Sequence, residues 1–199
     1  MVARSSGEGH WPRAATFPAC RTGTWPGGML ASMEPDGDSA GDLLARAGRL
    51  LASAAGGCGN GEIFAWANEG DAQLVPQVVF GRIAGAGLLE GSHPGLGGYA
   101  PGSAADLMSR LREVDEAAAV DALTSMVSVS MAYRRPGRCG EDDARQLFTA
   151  AAGLLGRSAR WWSNADGGGS NPVTGHTFDA LVAGAGRGLI LTVLAYDED

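Results

Sequence analysis

Two apolar runs near the end of the chain, Thr177 to Ala183 and Leu189 to Tyr196, restrict the fold more than any other feature. Both carry hydrophobic side chains at consecutive positions, most plainly at Leu189-Ile190-Leu191 and Val193-Leu194. Successive side chains of a strand point to opposite faces, so strands of this kind must be covered on both sides. The segment between them, Gly184-Ala185-Gly186-Arg187-Gly188, reads as a hairpin connection. A C-terminal β-hairpin inside a helix-covered sheet is therefore expected.

The helices to cover it are visible upstream. Ser39-Ala40-Gly41-Asp42 is a capping-box pattern, followed by Leu43, Leu44, Ala47, Leu50 and Leu51 at helical spacing. Ser103 and Asp106 repeat the pattern ahead of a stripe formed by Leu107, Leu111, Val114, Ala118, Ala122, Met126 and Val129. Glu141, Asp142 and Asp143 stand where acids favour a helix N-terminus, and Ala144, Leu147, Phe148, Ala151, Leu154 and Leu155 form its apolar side. Helices are thus expected at about 40–55, 104–123 and 141–155. Strands are expected at 62–68, 160–164, 177–183 and 189–196. Residues 73–89 and 124–133 fit helix and strand equally, and Arg134 to Gly140 reads as a turn. The fold class is α+β: three main helices packed on a small, mainly antiparallel sheet with a C-terminal β-hairpin.

The chain has 199 residues, enough for one domain with a tail. Residues 1–32 are rich in Gly, Pro, Ser and Arg without periodicity, and read as a disordered or artificial leader. Translation starting at Met29 or Met33 instead of Met1 would produce that contrast, leaving 33–199 as a single globular domain. All 15 basic residues are Arg and Gly numbers 32, a bias toward GC-rich codons that points to a high-GC bacterial genome. The net charge of -7 repels phosphate backbones and argues against nucleic acid as a partner. No apolar stretch approaches the roughly 20 residues of a membrane-spanning helix. Three scattered cysteines, Cys20, Cys58 and Cys139, lack metal-site or disulfide-framework spacing, which fits a reducing cytoplasm.

Motifs that carry chemistry are sparse. Gly85-Ala86-Gly87 has Glu90 where a dinucleotide loop needs its third Gly, and the absence of Lys excludes a Walker motif. Asp36 to Gly41 begins like a calcium loop, but Ala40 and Ala47 replace two of its oxygen ligands. No cofactor and no metal is expected. His176 stands three positions before Asp179, which puts the two on opposite faces of a strand; a pairing of His176 with a distant acid remains open. Cys139, beside Arg138 and ahead of a helix, is the best nucleophile candidate, although three acids follow it. Trp161 and Trp162 occupy opposite faces of one strand. A sheet buried on both faces, covering both rings, is the preferred reading; the alternative is that one is an exposed anchor for a partner.

These readings favour a non-enzymatic interaction or regulatory protein of the immunity-inhibitor type, binding a protein partner through Trp161 or Trp162. The alternative is a small hydrolase or transferase whose site is assembled from distant residues, with His176 and Cys139 as the catalytic candidates.

Overall fold

The computed structural model describes residues 39–58, 60–90, 100–166 and 169–198. The leader expected at 1–32, with Cys20, lies outside them, as do His10 and His93. The elements run α1 (Ala40–Ala54), β1 (Gly56–Cys58), β2 (Gly61–Glu69), α2 (Val75–Gly85), α3 (Ala104–Arg110), β3 (Arg112–Val114), α4 (Glu116–Ser128) and α5 (Glu141–Leu155). They continue with β4 (Arg160–Ser163), β5 (Ala165–Asp166), β6 (Gly169–Ser170), β7 (Phe178–Gly186) and β8 (Leu189–Asp197). The architecture is α+β, and the described residues form five helices and a six-stranded sheet in the order β1-β2-β8-β7-β4-β3, every pair antiparallel.

The hairpin turns more tightly than its five glycine-rich residues imply. Gly186 already pairs with Leu189, leaving Arg187 and Gly188 as the turn. Both have positive φ, 50° and 74°, the requirement of a type I′ connection whose twist matches the strands. The paired strands are covered on both faces, as consecutive apolar positions demand. On one face α1, α4 and α5 pack Leu51, Leu123, Phe148 and Ala151 against Ile63, Trp161, Val182, Leu191 and Val193. On the other, α2 and α3 pack Val79, Ile83 and Leu107 in the cluster that holds Trp162, Leu181, Ile190 and Leu194.

Local signals explain most of the helices. Ser39 Oγ accepts from the Asp42 N–H, and Ser103 Oγ from that of Asp106, as the capping boxes foretell. The ambiguous segment at 73–89 is helical: Pro76 sits in the first turn of α2, where a missing N–H does no harm. In the open stretch 124–133, helix continues to Ser128, and Val129 then forms an isolated bridge with Pro136.

The helix expected over 104–123 is corrected. The chain breaks after Arg110, runs as β3 along β4, and restarts as α4. The unbroken apolar stripe concealed a change of side, because Leu107 and Leu111 belong to the α2/α3 core whereas Leu123 and Met126 belong to the opposite one. Strand pairing competes successfully here: Glu113 opposes Trp162 and receives both the Nε and an Nη of Arg160, at 2.9 and 2.8 Å. Asp115 then caps the new helix by accepting from the Ala118 N–H at 2.7 Å. Asp115→Ala should lower the unfolding free energy by about 1 kcal/mol, measured by urea titration; an unchanged midpoint would deny the cap its role in restarting the chain.

Candidate functional site

The sheet places neither tryptophan of the β4 pair at the surface. Trp161 is 2% exposed against the α1/α4/α5 core and Trp162 is 5% exposed on the other face. The exposed-anchor expectation is therefore corrected, for a strand sandwiched between two helical layers has no free face. Arg160 adds to the cover, its guanidinium lying 5.0 Å from the Trp162 ring while paired with Glu113.

A row of partly buried aromatic rings gathers elsewhere, on the β2 margin of the α2/α3 face. The alternation of β2 sends Phe64 and Trp66 to this face, and the β2–β8 register sets Tyr196 opposite Glu62, one step along from Phe64. Phe64 stacks on Trp66 at 5.5 Å between centroids and on Tyr196 at 6.2 Å. His176 closes the row, its ring 3.8 Å from that of Tyr196 and nearly parallel at 12°. Phe64, Trp66 and Tyr196 are partly buried and the His176 side chain is nearly buried, whereas neighbouring Leu181 and Leu194 are sealed.

His176 finds its acid at the other end of the hairpin. Its Nδ1 is paired with Glu198 Oε1, and Thr177 Oγ1 donates to Glu198 Oε2 at 3.1 Å. Burial, reinforced by the charges of Glu62 and Glu198, pushes the Tyr196 phenol above its ordinary range. Asp197 is buried and accepts from the N–H groups of Asn60 and Ala132, at 3.2 and 3.1 Å.

The loop carrying His176 hangs from Asp179. One carboxylate oxygen accepts from the Val173 N–H, the Thr174 N–H and Thr174 Oγ1, at 2.9, 2.7 and 2.7 Å. The other accepts from Asn164 Nδ2 at 2.8 Å, and Thr174 Oγ1 in turn accepts from the His176 N–H at 3.2 Å. His176 and Asp179 do not converge directly; Thr174 connects them.

Cys139 is brought to none of these groups. It is buried in the core beneath α1, α4 and α5, across the sheet from the His176 stack. Imidazole and carboxylate meet, but the Cys139 sulfur lies on the opposite side and is disulfide-bonded, which corrects its reading as a candidate nucleophile. The hydroxyls nearest the pair in hydrogen-bond terms, those of Thr177 and Thr174, donate to Glu198 and Asp179. Among the described residues no group of three or more His, Cys, Asp or Glu side chains could hold a metal ion. No described helix is long and apolar enough to cross a membrane.

The aromatic row was missed in the sequence because its members are scattered over more than a hundred positions. The hairpin held the usable signal: a two-residue turn at Arg187-Gly188 sets Asp179 against Tyr196 and carries residues just before β7 to those just after β8. No family description, no curated protein and no solved structure matches the chain.

Proposed function

We propose that this chain is a non-enzymatic interaction protein that holds a protein partner against the aromatic margin of its sheet. An inhibitor of the immunity type is the form that best suits its size and acidity. The observation that carries the reading is the row Trp66, Phe64 and Tyr196, stacked and only partly buried on and beside an outermost long strand. Tyr and Trp dominate binding hot spots because they offer large, rigid area with few rotatable bonds. The partner assignment thus moves from Trp161 and Trp162 to Trp66.

A tagged full-length protein should retain one stoichiometric partner from its native cells. Trp66→Ala should weaken that complex by about 30-fold or more, the scale of a hot spot, while circular dichroism shows a folded domain. A complex of unchanged affinity would remove the assignment. The second reading, a small hydrolase or transferase, draws on the His176–Glu198 pair, and loss of a screened activity in His176→Ala with the partner complex intact would favour it instead.

A further inference from the structure

Among the described residues, nothing pairs with the outer edge of β2 for most of its length. β1 covers only Gly61, Glu62 and Ile63, and no described strand lies beyond Phe64 to Glu69. The backbone phase of this edge can be read from the ladder on its other side. The Gly70 N–H donates to the Gly188 carbonyl, one step beyond the Glu69–Leu189 pair. In an antiparallel ladder, residues facing the partner alternate with residues facing away. Phe64, Trp66 and Asn68 therefore bond toward β8, and Ala65, Ala67 and Glu69 direct their N–H and C=O groups outward.

Edge strands are ordinarily guarded by proline, inward-facing charge, a bulge or a covering element. From Phe64 to Asn68 this edge contains neither proline nor charge. Its acids stand at the far end, Glu69 and Asp71, both exposed. The nearby cation Arg82 is turned onto Asn68 Oδ1, at 3.2 Å. We infer that the partner binds by adding an extended segment antiparallel to β2, bonded to Ala65, Ala67 and Glu69, with apolar residues against Phe64 and Trp66 and basic residues toward Glu69. This rests on the interaction reading above and names the mode and chemistry of the partner. Directly opposed residues share a face, so the residues facing Phe64, Trp66 and Asn68 meet the aromatic row while those facing Ala65, Ala67 and Glu69 meet the acid. A segment alternating apolar and basic residues satisfies both. A second copy of the chain suits the edge less well, since each copy carries a net charge of -7.

The test uses the full-length protein and an end-blocked seven-residue peptide alternating valine and lysine. Saturation with the peptide should slow amide hydrogen exchange at Ala65, Ala67 and Glu69 by about tenfold or more, leaving Phe64, Trp66 and Asn68, already bonded to β8, unchanged. Methylating the lysine backbone nitrogens, which face the edge in this register, should abolish binding; methylating the valine nitrogens should leave it within about threefold. Equal effects of the two patterns, or binding without that alternating protection, would overturn strand addition. Ala67→Pro removes an outward N–H without breaking a bond to β8, a substitution that edge strands tolerate, and should release the native partner. Should Ala67→Pro fail to fold, the methylated pair decides alone. A native partner lost on Trp66→Ala but kept by folded Ala67→Pro defeats strand addition and leaves the interaction reading standing. A partner untouched by Trp66→Ala defeats that reading itself. A dimer in sedimentation that disappears with Ala67→Pro would overturn the choice of a foreign segment.

Discussion

Trp161→Ala is expected to remove about 3–5 kcal/mol of folding stability, a large share of what a domain of this size possesses. The indole is almost wholly buried, and a small internal void lined by Leu51, Leu123, Phe148 and Val193 already lies against it. Truncation would merge with that void, and the walls belong to three helices and the central strands, which cannot all close in. The buried Nε1 has no hydrogen-bond partner among the described residues, so packing accounts for the loss. Trp161→Phe should accordingly be much milder than Trp161→Ala. The register supplies a second test. Trp161 pairs with Gly184, where a Cβ would stand 2.4 Å from two ring carbons and 2.8 Å from Leu155 Cδ1. Gly184→Ala alone should cost about 1–3 kcal/mol by overpacking. In the Trp161→Ala background most of that cost should vanish, because the space is then open. Urea titrations of the four proteins complete the cycle, and simple additivity would show that the ring does not dictate glycine at position 184.

This pair also shows where the sequence was readable. Neighbouring tryptophans must occupy opposite faces of a strand, and consecutive apolar residues in β7 and β8 already required cover on both. Joined, the two facts favour burial of both rings, the arrangement found. α1, α5 and the hairpin were legible because capping and periodicity act over neighbouring residues. The break at Leu111 to Asp115 was not, since a helical stripe and a crossing between two cores leave the same apolar spacing. Only the capping capacity of Asp115 and the β-branched Val114 marked it. The candidate site was the least visible part. Phe64, Tyr196 and His176 meet through strand register, and register is decided by long-range pairing that no local spacing records.

Asp179→Ala should be as damaging as the loss of Trp161, through unsatisfied donors instead of a cavity. The carboxylate holds the Val173 and Thr174 N–H groups, the Thr174 hydroxyl and the Asn164 amide, all within 2.9 Å. Each buried donor left without a partner costs about 1–3 kcal/mol, and partial hydration should hold the total near 3–5 kcal/mol. Thermal denaturation measures the loss, and a shift of under about 1 kcal/mol would mean that the loop repairs its own bonds. The pH dependence has a definite sign. Burial pushes the Asp179 carboxyl above its ordinary range, against the downward pull of its donors. As pH rises, the unfolded chain gives up this proton before the folded one does. The stabilising contribution is therefore whole below about pH 3.9, the unfolded value, and is lost as pH climbs through the folded pKa. Asp179→Asn cannot titrate, so its deficit against the wild type should be widest in acid and shrink toward neutrality. A deficit that grows with pH would show that the donors outweigh burial. The same carboxylate governs the aromatic margin, because Thr174 passes its hold to the His176 backbone. Loss of Asp179 should therefore speed amide exchange at Val173, Thr174 and His176 together, and loosen the imidazole from Tyr196 even at temperatures where the domain remains folded.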